Sequence, residues 1–371
     1  MLERHVYVHV PFCARRCSYC DFAIAVRKRV PAADFAGAIR AELALRRGTA
    51  AAWPIDTLYL GGGTPSKLGA DGLGPLIEVL AERLSWGVSA EVTLEVNPED
   101  VTQEAARAWR AGGVNRISLG AQSFDDRVLT WMRRTHDSAA IARAVGALRS
   151  AGFSSLSLDL IFGLPAFLGR DWARDLALAL ELEPSHLSLY GLTVEPRTPL
   201  ARLEGSGAAV AADEESYELE FLRAHETLKV AGFEHYEVSN YARPGFRARH
   251  NSAYWQRTPY FGLGPSAHSF DGTTRRWNIA SLTRWLAALR ASSDPVEGTE
   301  VLSDSSVGLE RAYLGLRTAD GVAVEQLEGA QLERWTEMGW AQQRDGRFAL
   351  TPTGWLRLDT LAADLTLNGS R

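Results

Sequence analysis

The sequence predicts an α/β fold: a parallel sheet, either open or curled into a barrel, followed by a smaller C-terminal α+β region of winged-helix type. Short runs rich in valine, leucine and isoleucine alternate with helical patterns along the 371-residue chain, as they do in parallel α/β sheets. Several of these runs alternate apolar and polar residues, although strands covered on both faces are usually apolar throughout. The alternation of strands and helices ends near Phe233, and the segment WAQQRDGRFALTPTGW at 340–355 resembles a small winged helix.

The predicted elements divide the chain into three parts. The first, residues 1–235, is the barrel; residues 236–300 are predicted to be irregular, and residues 301–371 form the winged-helix-like domain. Helix N-caps are expected at Ser138, with Gly152 as the stop, and at Asp213, with Gly232 as the stop. The barrel strands are predicted at Val6–Val10, Asp56–Leu60, Ala90–Val96, Arg116–Gly120, Ser155–Ile161 and Leu187–Leu192.

The alternating strands each have a polar face. Val92, Leu94 and Val96 share one side of their strand, and Thr93, Glu95 and Asn97 share the other, because side chains alternate along a strand. If helices cover the apolar side, the polar side lines the interior, where Glu95 and Asp159 are expected to contact a polar ligand. The alternative is a few hydrogen-bonded polar residues near the strand ends.

All three cysteines of the chain, Cys13, Cys17 and Cys20, follow the first strand directly. Active sites of α/β barrels are built at the carboxyl ends of the strands, and thiolates select zinc, copper or iron–sulfur clusters. Structural zinc usually takes four protein ligands, which His9 or Asp21 could complete only by a strained approach. A disulfide would leave one cysteine over. A four-iron cluster would keep one iron without a protein ligand.

The C-x3-C-x2-C spacing in CARRCSYC, after YVHVPF, resembles the signature of the radical S-adenosylmethionine superfamily. The resemblance narrows to the group around the oxygen-independent coproporphyrinogen III dehydrogenase and its haem-chaperone relatives, and it extends over nearly the whole chain. Further matching motifs are YLGGGTPS at Tyr59–Ser66, LEVNPE at Leu94–Glu99, ISLGAQSF at Ile117–Phe124, SLDLIFGLP at Ser157–Pro165 and GLGPSAHSF at Gly262–Phe270.

This resemblance implies a partial, open parallel α/β barrel of the radical S-adenosylmethionine type, with two cofactors. The three thiolates would hold a 4Fe–4S cluster, and S-adenosylmethionine would bind the open iron through its amino and carboxylate groups. The positions that match the family's cofactor contacts are Tyr7, Tyr19, Gly62, Gly63, Thr64, Glu95, Gln122, Arg134 and Asp159. Two departures from the family pattern bear on local geometry: Arg133 stands where a glycine is expected, and Ala166, Phe167 and Leu168 follow IFGLP.

Three features favour the haem chaperones within this group. Phe22 stands where the dehydrogenase has a further cysteine, and only twelve residues precede Cys13. The sequence HNSAYW resembles the chaperones' HNxxYW motif, which implies His250 as a haem ligand, with Arg247, Arg249 or Arg257 meeting the propionates. His186 and His268 are expected to be structural.

The predicted function is therefore a haem chaperone that binds haem and transfers it to acceptor haemoproteins. The first alternative is the dehydrogenase, a radical enzyme that decarboxylates the propionates of coproporphyrinogen III. The second is a haem- or redox-responsive DNA-binding protein. The net charge of −5 argues against a nucleic-acid partner. The chain shows no signal peptide and no membrane-spanning stretch, and clustered cysteines suit a cytoplasmic protein. Oligomeric state and any peripheral membrane association are left open.

Overall fold

Six parallel strands form the centre of the sheet in the computed structural model, which describes residues 3–48, 52–208, 210–327 and 329–365. The strands are β1 His5–Val10, β2 Phe12–Cys13, β3 Ala25–Val26, β4 Trp53–Pro54, β5 Thr57–Gly62, β6 Leu84–Ser85, β7 Glu91–Val96, β8 Arg116–Gln122, β9 Ser155–Phe162, β10 His186–Gly191, β11 Glu234–Glu237, β12 Asn240–Ala242, β13 Tyr260–Leu263, β14 His268–Phe270, β15 Thr274–Asn278, β16 Val296–Val301, β17 Val322–Ala323, β18 Ala341–Arg344 and β19 Arg347–Leu350.

Helices follow most of the barrel strands and recur in the C-terminal part of the chain. They are α1 Ala32–Arg47, α2 Gly69–Ala81, α3 Gln103–Ala111, α4 Asp126–Trp131, α5 Ser138–Ser150, α6 Trp172–Glu181, α7 Pro199–Gly205, α8 Glu214–Val230, α9 Arg249–Trp255, α10 Leu282–Arg290, α11 Asp304–Leu316, α12 Gly329–Glu337, α13 Pro352–Trp355 and α14 Leu358–Ala363. None of the helices in the described ranges combines the length and the apolar character that crossing a membrane requires.

The central strands run in the order β1-β5-β7-β8-β9-β10, and each pairs in parallel with its neighbour. The sheet does not close on itself: β12 and β11 extend it antiparallel at one end, and β13 to β16 extend it at the other. The open α/β barrel is confirmed, and all six predicted strands lie within two residues of their predicted bounds.

The two faces of the central strands differ as the alternation predicts. Val6, Val8, Leu58, Leu60 and Leu94 are fully buried in the core on the helix-covered side. The opposite face carries the polar and aromatic side chains that line the interior, described below. Helices thus supply the apolar cover for one face only, and the other face lines the interior of the open barrel.

Residues 236–300, predicted to be irregular, contain two helices and strands that extend the barrel sheet. Strand β13 pairs in parallel with β1, and β14, β15 and β16 follow antiparallel. The sequences of β15 and β16 do not show the alternation of apolar and polar residues that marks a strand with one buried face. Strand β15, TRRWN, is half-buried along most of its length, and β16, VEGTEV, is a largely exposed edge strand that contains two glutamates.

A buried carboxylate ties this extension to α1. Glu42, in α1, is fully buried and accepts hydrogen bonds from Gly264 N at 2.9 Å, Asn278 Nδ2 at 2.6 Å and Trp285 Nε1 at 3.2 Å. Arg46, one turn further along α1, completes a buried ion pair with it at 3.0 Å. The carboxylate is therefore well satisfied, and it holds the loops of the extension against the barrel.

The capping predictions have two outcomes. Asp213 caps α8, and its side chain accepts from Ser216 N, as expected. The Ser138 prediction is wrong: the cap of α5 is Asp137, whose carboxylate accepts from Ala140 N at 2.8 Å. Aspartate and serine are nearly equal as N-caps, so two adjacent candidates cannot be separated by residue type.

The C-terminal region is α+β. Helix α11, β17, α12 and the hairpin β18–β19 follow one another, and the three strands form a separate antiparallel sheet in the order β17-β19-β18. A helix, a strand, a second helix and a hairpin wing in this order match the predicted winged-helix-like arrangement. The domain boundaries themselves stay predictions.

Candidate functional site

A cavity of about 330 Å³ opens at the carboxyl ends of the central strands, where α/β barrels place their active sites. It gathers the three cysteines and all the predicted cofactor contacts except Tyr7. Its lining includes Cys13, Cys17, Tyr19, Cys20, Gly62, Gly63, Thr64, Glu95, Gln122, Arg134 and Asp159.

The cysteine loop follows β1 and is half-buried. Cys13 Sγ lies 3.3 Å from Thr64 Oγ1, and Cys17 Sγ accepts a hydrogen bond from Arg134 Nη1 at 3.6 Å. Ser18 N donates to Met132 O at 3.2 Å, which anchors the loop to the end of α4. Burial raises the pKa of the Cys13 thiol to about 11, so a bound metal must displace this proton.

The glycine turn after β5 packs directly beneath this loop. A Cβ on Gly63 would lie 2.7 Å from Pro11 C, and one on Gly62, whose φ is +108°, would lie 2.5 Å from His9 Nδ1. Glycine is therefore required on steric grounds at both positions. The close approach holds the GGGTP backbone beside the cysteines.

Glu95 projects from β7 into the interior. Its carboxylate accepts from Tyr59 Oη at 2.8 Å and from Gly62 N at 3.0 Å. Burial raises its pKa to about 7, against the effect of these two bonds. The sequence analysis does not identify Tyr59 as a site residue, although it correctly predicts the strand β5 on which Tyr59 lies.

Asp159 lies deeper, on β9, among hydroxyl groups. Ser118 Oγ donates to both its oxygens at 3.0 and 2.9 Å, and Ser157 Oγ donates at 3.2 Å. Burial nevertheless raises the pKa of the carboxyl. Glu95 and Asp159 thus both have hydrogen-bond partners while facing the cavity, and their contact with a polar ligand stays a prediction.

Arg134 connects α4 to the cavity. Its Nη2 donates to Asn97 Oδ1 at 2.7 Å and to Gly120 O at 2.9 Å, in addition to the bond to Cys17. Asn97 lies two residues beyond Glu95, on the polar side predicted for this strand. The guanidinium places a positive charge beside Cys17.

The backbone at Arg133 explains how Arg134 is aimed. Arg134 N donates to Leu129 O and Arg133 N donates to Thr130 O, the pair of bonds of a Schellman motif. Arg133 has φ of +60°, the left-handed conformation that favours glycine. The glycine expected by resemblance is therefore absent, but its backbone conformation is kept.

Replacing Arg133 with glycine should stabilise the protein by up to about 1 kcal/mol, because glycine adopts the left-handed conformation without strain. The greater backbone entropy of glycine in the unfolded chain offsets part of this gain. Urea unfolding measures the change. Arg133→Ala retains the Cβ and should give no such gain. Equal stabilisation by alanine would contradict a backbone origin.

Glu99 lines the cavity, and its surroundings lower its pKa. Burial opposes its ionisation, but hydrogen bonds from His136 Nδ1 at 3.2 Å and from Thr135 Oγ1, with the charge of Arg134, lower its pKa to about 2. A carboxyl with a lowered folded pKa stabilises above its unfolded pKa and loses that contribution as pH falls towards the folded value.

Glu99→Gln should therefore lower the free energy of unfolding by about 1–3 kcal/mol at pH 7. The difference from the parent should shrink by about 1 kcal/mol at pH 4, inside the window between the unfolded and folded pKa values. Urea titrations at both pH values measure it, with the exposed Glu78→Gln as control. A pH-independent difference would contradict the linkage.

A second cavity, of about 620 Å³, adjoins the first and shares Phe22, Gly62 and Glu95 with it. Its lining includes the aromatic residues Tyr7, Phe22, Tyr254, Trp255, Tyr260 and Phe270 and the charged residues Asp21, Glu95, Arg257, Arg275 and Glu310. Tyr7 thus lies on the second cavity, where its hydroxyl is 3.1 Å from His9 Nδ1.

His250 lines neither cavity. It begins the HNSAYW stretch of α9 and is 1% exposed. Its Nδ1 is 2.7 Å from Thr57 Oγ1 and its Nε2 is 2.8 Å from Tyr254 Oη, so both ring nitrogens have partners. Burial lowers its pKa to about 3, and the imidazole is neutral.

The three arginines considered for propionates have different surroundings. Arg257 lines the second cavity. Arg247 pairs with Glu234 and Asp320, and Arg249 Nη1 donates to Ser89 O at 2.6 Å. His186 is buried between Ser157 and Tyr236, as a structural histidine would be.

The first cavity fits an iron–sulfur cluster with S-adenosylmethionine. Three soft sulfur donors line one cavity. The glycine turn can approach the cysteine loop closely because it carries no Cβ atoms there. Arg134 donates a hydrogen bond to Cys17 Sγ. Among the described residues, no group of three or more His, Cys, Asp or Glu side chains is arranged around a single metal ion.

Comparison with known proteins gives the same assignment. The family model described as the Radical SAM superfamily matches residues 7–179. A protein of Mycobacterium tuberculosis H37Rv named "Heme chaperone HemW" is 35% identical over 97% of this chain and 94% of its own length. A Synechocystis protein of the same name is 37% identical over 88% of this chain and 81% of its own.

A solved structure agrees with this fold. Coproporphyrinogen III oxidase (HemN) from Escherichia coli superposes with a TM-score of 0.82 over 97% of this chain and 89% of its own, at 22% identity. At that identity the likeness concerns the fold alone. The full-length sequence similarity is the more specific finding, and by it the chain belongs to the radical SAM superfamily and, within it, to the family of proteins named heme chaperone HemW.

Proposed function

We propose that this chain is a haem chaperone, which binds haem in the second cavity and transfers it to acceptor haemoproteins. The observation that carries the proposal is the pair of adjoining cavities, one lined by the cysteines and one by aromatic residues. A volume of about 620 Å³ lies within the range of roughly 300–1,000 Å³ typical of small-molecule sites. Aromatic walls suit the faces of a porphyrin.

The first cavity has its own role. As a radical SAM protein, the chain would hold an iron–sulfur cluster on its three cysteines with S-adenosylmethionine beside it, and the cluster would supply an electron-transfer centre. The chain's own residues bind and orient the cofactor: Glu95 offers a carboxylate already placed by Tyr59, and Arg134 offers its guanidinium beside Cys17.

Phe22 bears on the choice between chaperone and dehydrogenase. It is 60% exposed and borders both cavities, and it occupies the position of the dehydrogenase's further cysteine. An apolar side chain at this position can contact a porphyrin ring, but it can neither ligate iron nor transfer a proton. His250, expected from its motif to ligate haem, remains a prediction, as does the cytoplasmic location.

One anaerobically reconstituted sample tests the function. Haem titration should saturate near one haem per chain, and the loaded protein should pass haem to an apo-haemoprotein, followed by the acceptor's absorption spectrum. Incubation with S-adenosylmethionine, a reductant and coproporphyrinogen III should release no carbon dioxide. Decarboxylation with turnover would show the chain to be the dehydrogenase, and failure to bind haem would overturn the chaperone proposal.

A further inference from the structure

A second histidine is better placed for haem iron than the one in the HNSAYW stretch. His268, at the start of β14, lines the second cavity, and its side chain is exposed. Its ring stacks on Trp277 at 5.9 Å between centroids, and neither ring nitrogen hydrogen-bonds to a residue within the described ranges. An imidazole with a free nitrogen facing a cavity can coordinate a metal without first breaking a bond.

Arg257 shows where a carboxylate of the ligand would lie. Its side chain is only 7% exposed, and Nε donates to Glu310 at 2.5 Å. Its Nη2 is buried and has no partner in the described part of the chain. An unpaired buried donor is costly, so a ligand acceptor beside Nη2 would remove this cost.

The wall around Arg257 has two guanidinium groups against one carboxylate and therefore favours an anionic group; Asp21 and Glu95 are the other charged residues that line the cavity. Glu310 pairs with Arg257 and also with Arg275, so that two guanidinium groups share one carboxylate. Arg275 has a second, weaker and more exposed partner in Glu300, at 3.4 Å. Both guanidinium groups lie over the ring of Phe270, on the wall that also carries His268.

We propose that His268 provides the axial ligand to haem iron in the second cavity and that Arg257 Nη2 binds a haem propionate. The inference rests on the proposed haem-binding function and assigns its site. The imidazole nitrogen donates its lone pair to iron and displaces water, and the iron keeps its oxidation state.

His250 then acts as a positioning residue. Its bonds to Thr57 and Tyr254 hold the Tyr254 hydroxyl at the base of α9, and Tyr254 forms part of the cavity wall. Loss of His250 would loosen this wall and weaken haem binding without changing the ligand on iron.

Optical and EPR spectra of haem-loaded His268→Ala and His250→Ala test the assignment. His268→Ala should lose the spectrum of histidine-ligated haem, and added imidazole should restore it. His250→Ala should keep that spectrum and bind haem more weakly. The reverse pattern would overturn the assignment of His268 while leaving haem binding intact; a parent protein that binds no haem would overturn the proposed function itself.

The propionate contact has a separate test. Arg257→Gln should weaken haem binding about tenfold, as expected for loss of a charge-assisted hydrogen bond, and should leave the affinity for the haem dimethyl ester unchanged. Arg247→Gln, outside this cavity, is the matched control and should bind both like the parent. Equal losses for haem and its ester would contradict the propionate contact.

Discussion

Cys17→Ser should abolish assembly of the iron–sulfur cluster. The parent protein, reconstituted anaerobically, should contain about four irons per chain, and the variant should contain less than about one. A serine hydroxyl remains protonated at neutral pH and is a hard donor, whereas the cluster selects soft thiolates. The variant should also lose S-adenosylmethionine binding that depends on the open iron. Iron and sulfide analysis with equilibrium dialysis measures both quantities.

Ser18→Ala is the matched control for this change. Ser18 lies in the same loop, and its hydroxyl is buried without a hydrogen-bond partner among the described residues. Its loss should leave iron content unchanged. A Cys17→Ser variant with the parent's iron content would show that the cluster is held elsewhere, and equal loss in both variants would point to disruption of the loop.

Gly63→Ala should impair both folding and cofactor binding. Its Cβ would lie 2.7 Å from Pro11 C and 2.9 Å from Val10 O, which are backbone atoms and cannot swing away. Overpacking of this kind costs about 1–3 kcal/mol, and relief requires the glycine turn to move away from the cysteine loop. We expect a lower urea midpoint and at least about tenfold weaker S-adenosylmethionine binding.

Gly146→Ala separates this effect from a general response to losing glycine. Gly146 lies within α5, where an added Cβ meets no described atom within 4 Å. Alanine in a helix should there stabilise the protein by about 0.5–1 kcal/mol. Parent-like cofactor binding by Gly63→Ala would contradict the role assigned to the close approach.

The barrel could be predicted because the sequence patterns that indicate its strands involve residues close together in the chain. Alternation along β7 and β9 involves only neighbouring residues, and it correctly predicts that Glu95 and Asp159 face inward. The cysteine spacing is local as well. Tyr59, by contrast, was not recognised as part of the site, because its role depends on Glu95, which lies 36 positions away in sequence.

Long-range contacts account for what the sequence could not predict. His250 meets Thr57 across 193 positions, so its motif could not reveal that both its nitrogens are engaged. Arg249 reaches Ser89, whereas Arg257 faces the aromatic cavity. The strands β15 and β16 carry charged and exposed residues, so their place in the barrel sheet depends on pairing partners.

The two-sidedness of the central strands has a consequence for how this protein can change. Leu94 packs in the core and Glu95 faces the ligand space, although they are adjacent in the chain. Substitutions on the apolar face of a strand therefore change mainly the stability of the fold, and substitutions at the alternate positions change mainly the ligand specificity. Evolution can therefore change the residues that line the interior to bind another ligand while the helix-packed face of the barrel stays the same.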